Sequence, residues 1–271
     1  MNIKNNFFFD SLAFITFFSK KDPRRKVNLE NIGRHFFWVF PTCYTILYTL
    51  VSLVTIGLYQ ITDSALFSCV VHFFLLHFIN GFKRIDGLND LGEGLLYKIN
   101  HPDSHLEKVW KIIRSPGNGA YGTAIIVCYF LLLVSTGTLL LKQSVLNFAV
   151  FSVLSGVFST VTLAFSIAPK HFTPNSDFYA MIQCISAPYR KLMVVVAAGC
   201  LVIPFVFIYK VRFIMIAGFV LLIFLAILLG FMLRAAVIKI LKEMNGDIMG
   251  FSLCVGELCL LLVSAIGLRL L

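Results

Sequence analysis

Three carboxylates, Asp86, Asp90 and Glu93, stand at positions i, i+4 and i+7 directly after an apolar segment long enough to cross a membrane. Carboxylates at this spacing share one face of a helix. Because like charges on one face repel each other, a divalent cation or a cationic ligand would stabilise them. The motif predicts a hard metal ion that holds a phosphate. The alternative is a solvated polar helix whose acids pair with Lys83 and Arg84.

Two more segments carry residues suited to this chemistry. Gly119-Ala-Tyr121-Gly122 precedes an apolar segment, and the free N–H groups of a glycine-rich turn at a helix N-terminus favour phosphate oxygens. Asp247 opens the last apolar segment, where a helix dipole favours its charge. Glu257 lies inside that segment, and an ionisable group in hydrocarbon usually faces a partner or a polar cavity. A plain turn and a simple helix start are the alternatives for the first two features.

The composition indicates which elements must position these residues. Of 271 residues, 59% are hydrophobic and 13% are charged, Phe occurs 28 times and the mean hydropathy is +0.89, which excludes an ordinary soluble domain. Since lipid offers no partner to free backbone groups, each long apolar segment should be a helix. The chain is predicted to be one all-α polytopic membrane bundle over residues 1–271. Seven segments have the required length: about 36–59, 64–82, 120–141, 144–168, 192–209, 213–233 and 251–271.

The positions of Lys and Arg predict the orientation of the bundle in the cell membrane. With the N-terminus in the cytoplasm, only four of the 23 cations lie outside, as the positive-inside rule demands: Lys142, Lys210, Arg212 and Arg269. Residues 1–34 then form a cytoplasmic or interfacial segment, with an interfacial helix at 7–18. Residues 83–119 form a cytoplasmic loop with the acidic motif, and its first third should be a helix that continues the second span into the cytosol. The net charge of +10 indicates this topology and contact with anionic lipids, and not nucleic-acid binding.

The order of the motifs resembles the cobalamin-5′-phosphate synthase family, also called adenosylcobinamide-GDP ribazoletransferases, over nearly the whole chain. Residues 84–95 are similar to the family's His-Leu-Asp-Gly-Leu-Ala-Asp-x-x-Asp-Gly-Leu, and residues 246–257 to its Gly-Asp-x-x-Gly-Ala-x-x-Glu-Leu-x-Glu. Its Gly-Ala-Tyr-Gly stands unchanged at 119–122, and its Arg after the fourth span corresponds to Arg190. Arg190 also follows Pro188 as a plain anchor of a span would.

The chain departs from the family pattern at several positions. Arg84 replaces a His, Glu93 an Asp and Cys254 a Glu, while Ser115-Pro-Gly stands where the family has Asp-Ser-Arg. Glu93 keeps its charge and can still ligate a metal. The other changes leave open a divergent enzyme, a changed substrate or an inactive relative.

The resemblance implies a membrane transferase of cobalamin biosynthesis. The hydroxyl of α-ribazole, or of its 5′-phosphate, would attack the cobinamide-side phosphate of adenosylcobinamide-GDP and expel GMP. Positioning and Mg²⁺ carry such reactions. Asp86, Asp90 and Asp247 are the expected catalytic residues, with Asp90 or Asp247 as acceptor of the hydroxyl proton. The expected metal ligands are Asp86, Asp90, Glu93 and Asp247. The expected substrate-binding groups are Arg84, Gly119, Tyr121, Gly122, Arg190 and Glu257, with Arg84 at the GMP leaving group.

Two other classes of protein stay open. A CDP-alcohol phosphotransferase also places carboxylates and Mg²⁺ on membrane helices, but its Ala-Arg pair followed by two further Asp is missing here. A transporter or non-catalytic relative would explain the lost charges and would need no metal. The sequence leaves a homo-oligomer open as well.

Overall fold

The computed structural model describes residues 29–115, 117, 119–174, 176, 178–185, 187–209 and 213–270, and this part of the chain is almost entirely helical. The predicted interfacial helix at 7–18 lies outside the described residues. A 3₁₀ turn covers Pro169–His171. The helices are α1 (Leu29–Arg34), α2 (Phe36–Thr62), α3 (Ala65–Ile79), α4 (Lys83–Asn100), α5 (Leu106–Ile113), α6 (Ala120–Gln143), α7 (Val145–Ser166), α8 (Tyr179–Gln183), α9 (Ala187–Tyr209), α10 (Phe213–Leu241) and α11 (Asp247–Leu270).

The prediction of an all-α polytopic membrane protein is confirmed. Within the described part of the chain, α2, α6, α7, α10 and α11 contain stretches long and apolar enough to cross a membrane. The pair α3 and α4 gives a sixth if it forms one broken span. The predicted span at 192–209 lies in α9, whose side chains are described only in part. Seven spans and a cytoplasmic N-terminus therefore stay predictions.

A sharp bend separates α3 from α4. The two helices meet at 89°, although the sequence suggested that the second span continues straight into the acidic motif. Gly81 and Phe82 both adopt left-handed backbone conformations, with φ of 59° and 58°, and so end one helix and redirect the next. The helix that carries the acidic motif therefore runs across the ends of its neighbours.

Helix α7 forms the centre of the bundle. Ser144 caps its N-terminus by accepting a hydrogen bond from the Asn147 N–H, and α2, α10 and α11 pack around it. Small residues allow these helices to approach closely. A Cβ on Gly256 of α11 would lie 2.8 Å from the Cα of Ser159, and one on Gly156 of α7 would lie 2.7 Å from the ring of Tyr48. This packing fixes α11, which carries Asp247 in its first turn.

Candidate active site

The acidic motif of α4 meets the start of α11 at a crossing of two glycines. A Cβ on Gly87 would lie 2.6 Å from the carbonyl oxygen of Asp247, and one on Gly250 would lie 2.8 Å from the carbonyl oxygen of Arg84. Real Cβ atoms do not approach backbone so closely, so only glycine permits this separation of the helices. The crossing brings Asp86 and Asp90 of α4 near Asp247, which follows them in the chain by 161 and 157 residues.

A cavity of about 490 Å³ opens beside this crossing, and we call it the carboxylate cavity. Asp247 is fixed at its wall, since the Asn245 side-chain amide donates to its carboxylate and its own N–H donates to the Asn245 Oδ1 over 3.3 Å. Asp86 stays open to solvent, with 59% of its side chain exposed. The described residues that line the carboxylate cavity are Lys83, Asp86, Arg114, Thr173, Ser176, Phe178, Asn245, Gly246, Asp247 and Gly250.

Asp90 is not among the residues that line the carboxylate cavity, and it is partly buried. Burial raises the pKa of its carboxyl group, and the nearby charges of Asp86 and Glu93 raise it further. A hydrogen bond of 2.9 Å from the Asn89 amide opposes this shift in pKa. Lys83 forms an ion pair with Asp86 at 3.8 Å, but both side chains are more than half exposed, so the pair adds little stability. Asp90 thus experiences the negative charges of Asp86 and Glu93, and Asp247 experiences those of Asp86 and Asp90.

Glu93 is placed at a different position from the other acids of the motif. Its carboxylate accepts a hydrogen bond of 2.9 Å from the Gly119 N–H at the start of α6, where a negative charge suits the helix dipole. It does not line the carboxylate cavity. A Cβ on Gly122 would lie 2.3 Å from the Asn89 Oδ1, so the glycines of this turn let α4 approach, and Tyr121 beside them is partly buried. Thus a protein carboxylate occupies the Gly119 N–H predicted to hold phosphate.

Arg84 and Glu257 form a buried ion pair inside the bundle, and neither side chain is exposed. The guanidinium also donates to the Tyr48 hydroxyl at 2.8 Å and lies 5.6 Å from the centre of the Tyr44 ring. The carboxylate accepts hydrogen bonds from Tyr48 at 2.7 Å and from Tyr129 at 2.9 Å. We call these residues the ionic hub. It joins α2, α4, α6 and α11.

The ionic hub gives two predicted substrate-binding residues a partner within the protein. Arg84 and Glu257 neutralise each other, and neither lines the carboxylate cavity. Isolated charges in this environment would be costly, whereas a paired and hydrogen-bonded set is tolerated. The sequence indicated that Glu257 needs a partner, but it gave no sign that the partner is Arg84. The thiol of Cys254 on α11 also contacts α4, because it donates to the Arg84 carbonyl oxygen at 3.5 Å.

Arg190 lies near the start of α9 and is partly buried. It does not line the carboxylate cavity, and burial together with the positive charge of Arg234 on α10 lowers the pKa of its guanidinium. Within the described residues its Nε has no hydrogen-bond partner. The structure therefore does not bring Arg190 to the carboxylates, and its role in binding phosphate stays a prediction.

The donor atoms fit Mg²⁺ in one particular way. Among the described residues, no group of three or more His, Cys, Asp or Glu side chains is close enough to enclose a metal ion. Mg²⁺ usually takes only one or two protein carboxylates and completes its shell with water and substrate phosphate. Asp86 and Asp247, two oxygen donors on one cavity, match this mode. They would hold the ion together with a bound phosphate.

A second cavity, of about 590 Å³, adjoins the first and shares Arg114 and Thr173 with it. We call it the basic cavity. Lys170 and Lys242 counted in the sequence only as cytoplasmic cations that indicate orientation, and their spacing of 72 positions did not indicate a common site. The lining residues are Arg114, Pro169, Lys170, His171, Phe172, Thr173, Pro174, Tyr179, Gln183, Lys242 and Glu243.

Comparison with known proteins supports the sequence motifs. The family model described as cobalamin-5-phosphate synthase matches residues 7–265. No curated protein and no solved structure matches the chain with significant similarity. The matched region contains α4 with the acidic motif, most of α11 including Asp247 and Glu257, and the described residues that line the two cavities.

Proposed function

The chain belongs to the cobalamin-5-phosphate synthase family and is a membrane transferase of cobalamin synthesis, and from this premise we propose its reaction. We propose that it joins adenosylcobinamide-GDP to α-ribazole or α-ribazole 5′-phosphate in the carboxylate cavity. The products are GMP and adenosylcobalamin or its 5′-phosphate. The observation that carries this proposal is the glycine crossing of α4 and α11, which gathers the carboxylates of two distant motifs at one cavity.

The transfer replaces one phosphate bond with another. The acceptor hydroxyl oxygen attacks the phosphorus on the cobinamide side, a new P–O bond forms, and the P–O bond to GMP breaks, with the electron pair leaving on the GMP phosphate. Asp247 is the acceptor of the hydroxyl proton in this proposal, because Asn245 orients it and it lines the cavity. Asp86, which is exposed in the cavity, is the principal metal ligand, and Asp90 adds negative charge near it.

Two groups serve the phosphates in this scheme. Mg²⁺, when bound, would neutralise charge on the pyrophosphate. Lys83 and Arg114 line the same cavity and place positive charge near the departing phosphate. The ionic hub acts at a distance in this proposal, because it fixes α4 against α11 and so sets the separation between Asp86 and Asp247. The positive-inside pattern supports a site on the cytoplasmic face of the cell membrane.

The test is GMP release by the purified protein in lipid, supplied with adenosylcobinamide-GDP and α-ribazole 5′-phosphate, with Mg²⁺ and then with EDTA. We expect Mg²⁺-dependent GMP together with a corrinoid product of matching amount. Asp86→Asn should lower turnover by about 100-fold or more, as when one group that stabilises transition-state charge is removed. Asp103→Asn, an exposed acid between α4 and α5, is the matched control. Folded protein without turnover would refute the proposal and favour a transporter or an inactive relative.

A further inference from the structure

The basic cavity is built by pairing two segments that are far apart in the chain. The Met244 N–H donates to the His171 carbonyl oxygen at 2.8 Å, and the Thr173 N–H donates to the Met244 carbonyl oxygen at 2.9 Å. The Gln183 side-chain amide adds a hydrogen bond of 3.0 Å to the Pro169 carbonyl oxygen. These contacts join the segment after α7 to the turn before α11. The cavity is therefore a feature of the fold and not a gap between loose loops.

The pairing collects positive charge around the cavity. Arg114, Lys170 and Lys242 line it together with His171, and among the described residues that line it Glu243 is the one acid. Among the described residues, neither lysine forms an ion pair, and both side chains are exposed. Lysine ammonium groups and the guanidinium fork are strong ligands of phosphate. A phosphomonoester carries a charge of about −1.5 to −2 at pH 7 and suits this set of cations.

Arg114 lies where the two cavities meet. Its guanidinium rests over the ring of Trp110, 5.4 Å from the ring centre, and it lines both cavities together with Thr173. A ligand whose phosphate is held near Lys170 and Lys242 can therefore extend past Arg114 toward the carboxylates. The aromatic ring of Tyr179 on the wall offers a surface for a base.

We propose that the basic cavity binds the phosphate of a phosphorylated nucleoside acceptor, while the acceptor's free hydroxyl reaches the carboxylate cavity. This inference rests on the proposed function and deepens it, because it assigns the acceptor to a cavity of its own. Lys170 and Lys242 are the residues that select the phosphorylated form. The same chemistry would also suit the phosphate of a lipid headgroup, which the experiment below distinguishes.

The kinetic test compares α-ribazole 5′-phosphate with unphosphorylated α-ribazole as acceptors. Lys170→Gln and Lys242→Gln should each raise KM for the phosphorylated acceptor by about tenfold or more, the usual effect of losing a hydrogen bond to a charged group. KM for α-ribazole and kcat should stay within about twofold. Lys239→Gln, an exposed lysine on α10 that lines neither cavity, is the matched control. Equal changes for both acceptors, or none, would overturn the proposal.

A binding measurement separates this proposal from the proposed function. Equilibrium dialysis of the detergent-solubilised protein with labelled α-ribazole 5′-phosphate, without donor, should show binding that competes with inorganic phosphate and weakens in both lysine variants. Binding without any turnover would leave the phosphate site standing and refute the transferase reaction. Turnover that does not depend on the two lysines to select the phosphorylated acceptor would support the transferase reaction and refute the phosphate site.

Vesicles of two compositions test whether Lys170 and Lys242 bind a lipid headgroup instead of the acceptor. The wild-type protein and the two lysine variants are reconstituted in pure phosphatidylcholine and in a mixture with phosphatidylglycerol. We expect the lysine effect on KM for the phosphorylated acceptor to be the same in both. If the variants differ from wild type only in the vesicles with phosphatidylglycerol, the lysines bind lipid headgroups and the acceptor proposal is wrong.

Discussion

The ionic hub predicts a large loss of stability when one of its charges is removed. Glu257→Gln keeps the size and part of the hydrogen bonding of the side chain but leaves the Arg84 cation buried without a counter-charge. Removing one partner of a buried ion pair typically costs about 3–5 kcal/mol. The free energy of unfolding should fall by that amount, measured by reversible denaturation in mixed micelles. Glu107→Gln, an exposed acid on α5, should change it by less than about 0.5 kcal/mol.

A double-mutant cycle distinguishes a true pair from two independent costs. Arg84→Met and Glu257→Met should each be strongly destabilising, whereas the double variant removes both charges at once and should be more stable than the sum of the singles allows. Some cost should remain, because the hydroxyls of Tyr48 and Tyr129 lose buried partners at about 1–3 kcal/mol each. Additive single effects, or a loss below about 1 kcal/mol for Glu257→Gln, would refute the reasoning.

Three other predictions concern residues of α4. Gly87→Ala should abolish turnover, because its Cβ would lie 2.6 Å from the backbone of α11. Gly57→Ala is the control and should keep the wild-type rate of GMP release, because its Cβ would have no atom within 4 Å. Similar losses in both variants would contradict the close crossing of α4 and α11. Burial raises the pKa of Asp90 in the folded protein above its value in the unfolded chain, so the folded state favours the protonated carboxyl group. The resulting stabilisation is present at a pH below the pKa of the unfolded chain and is lost as the pH rises through the pKa of the folded protein. Asp90→Asn should therefore have a higher Tm than wild type at pH 7, and the difference should shrink toward pH 4; a Tm difference independent of pH would count against it. Glu93→Gln should keep turnover within about tenfold, because Glu93 caps a helix, an interaction worth about 0.5–2 kcal/mol; a loss of about 100-fold would instead assign Glu93 to the metal.

The sequence predicts the class of fold because hydropathy can be evaluated from each segment of the chain by itself. Long apolar segments must be helices in lipid, so the helical bundle and the positions of most spans could be read directly. The bend at Gly81 and Phe82 could not, because a left-handed phenylalanine depends on tertiary packing and has no signal in composition. The same local reasoning extended the second span straight into the acidic motif.

The candidate site was predictable in its residues but not in their pairing. The spacing of Asp86 and Asp90 indicated a shared helix face, and Glu257 stood out as a charge in an apolar segment. Which partner Glu257 takes depends on how helices pack, and one sequence holds no record of that. Lys170 and Lys242 were missed as a site for the same reason, because two backbone hydrogen bonds between distant segments bring them together.

The ionic hub also sets an order on how this protein is made. Arg84 and Glu257 are 173 residues apart, and synthesis at about 5–20 residues per second separates their appearance by roughly 9–35 s. During that interval the helix bearing the acidic motif lacks the carboxylate against which it finally docks. Assembly of the candidate site therefore waits until α11 has entered the membrane, and a chain that stops before α11 carries a buried arginine without its counter-charge.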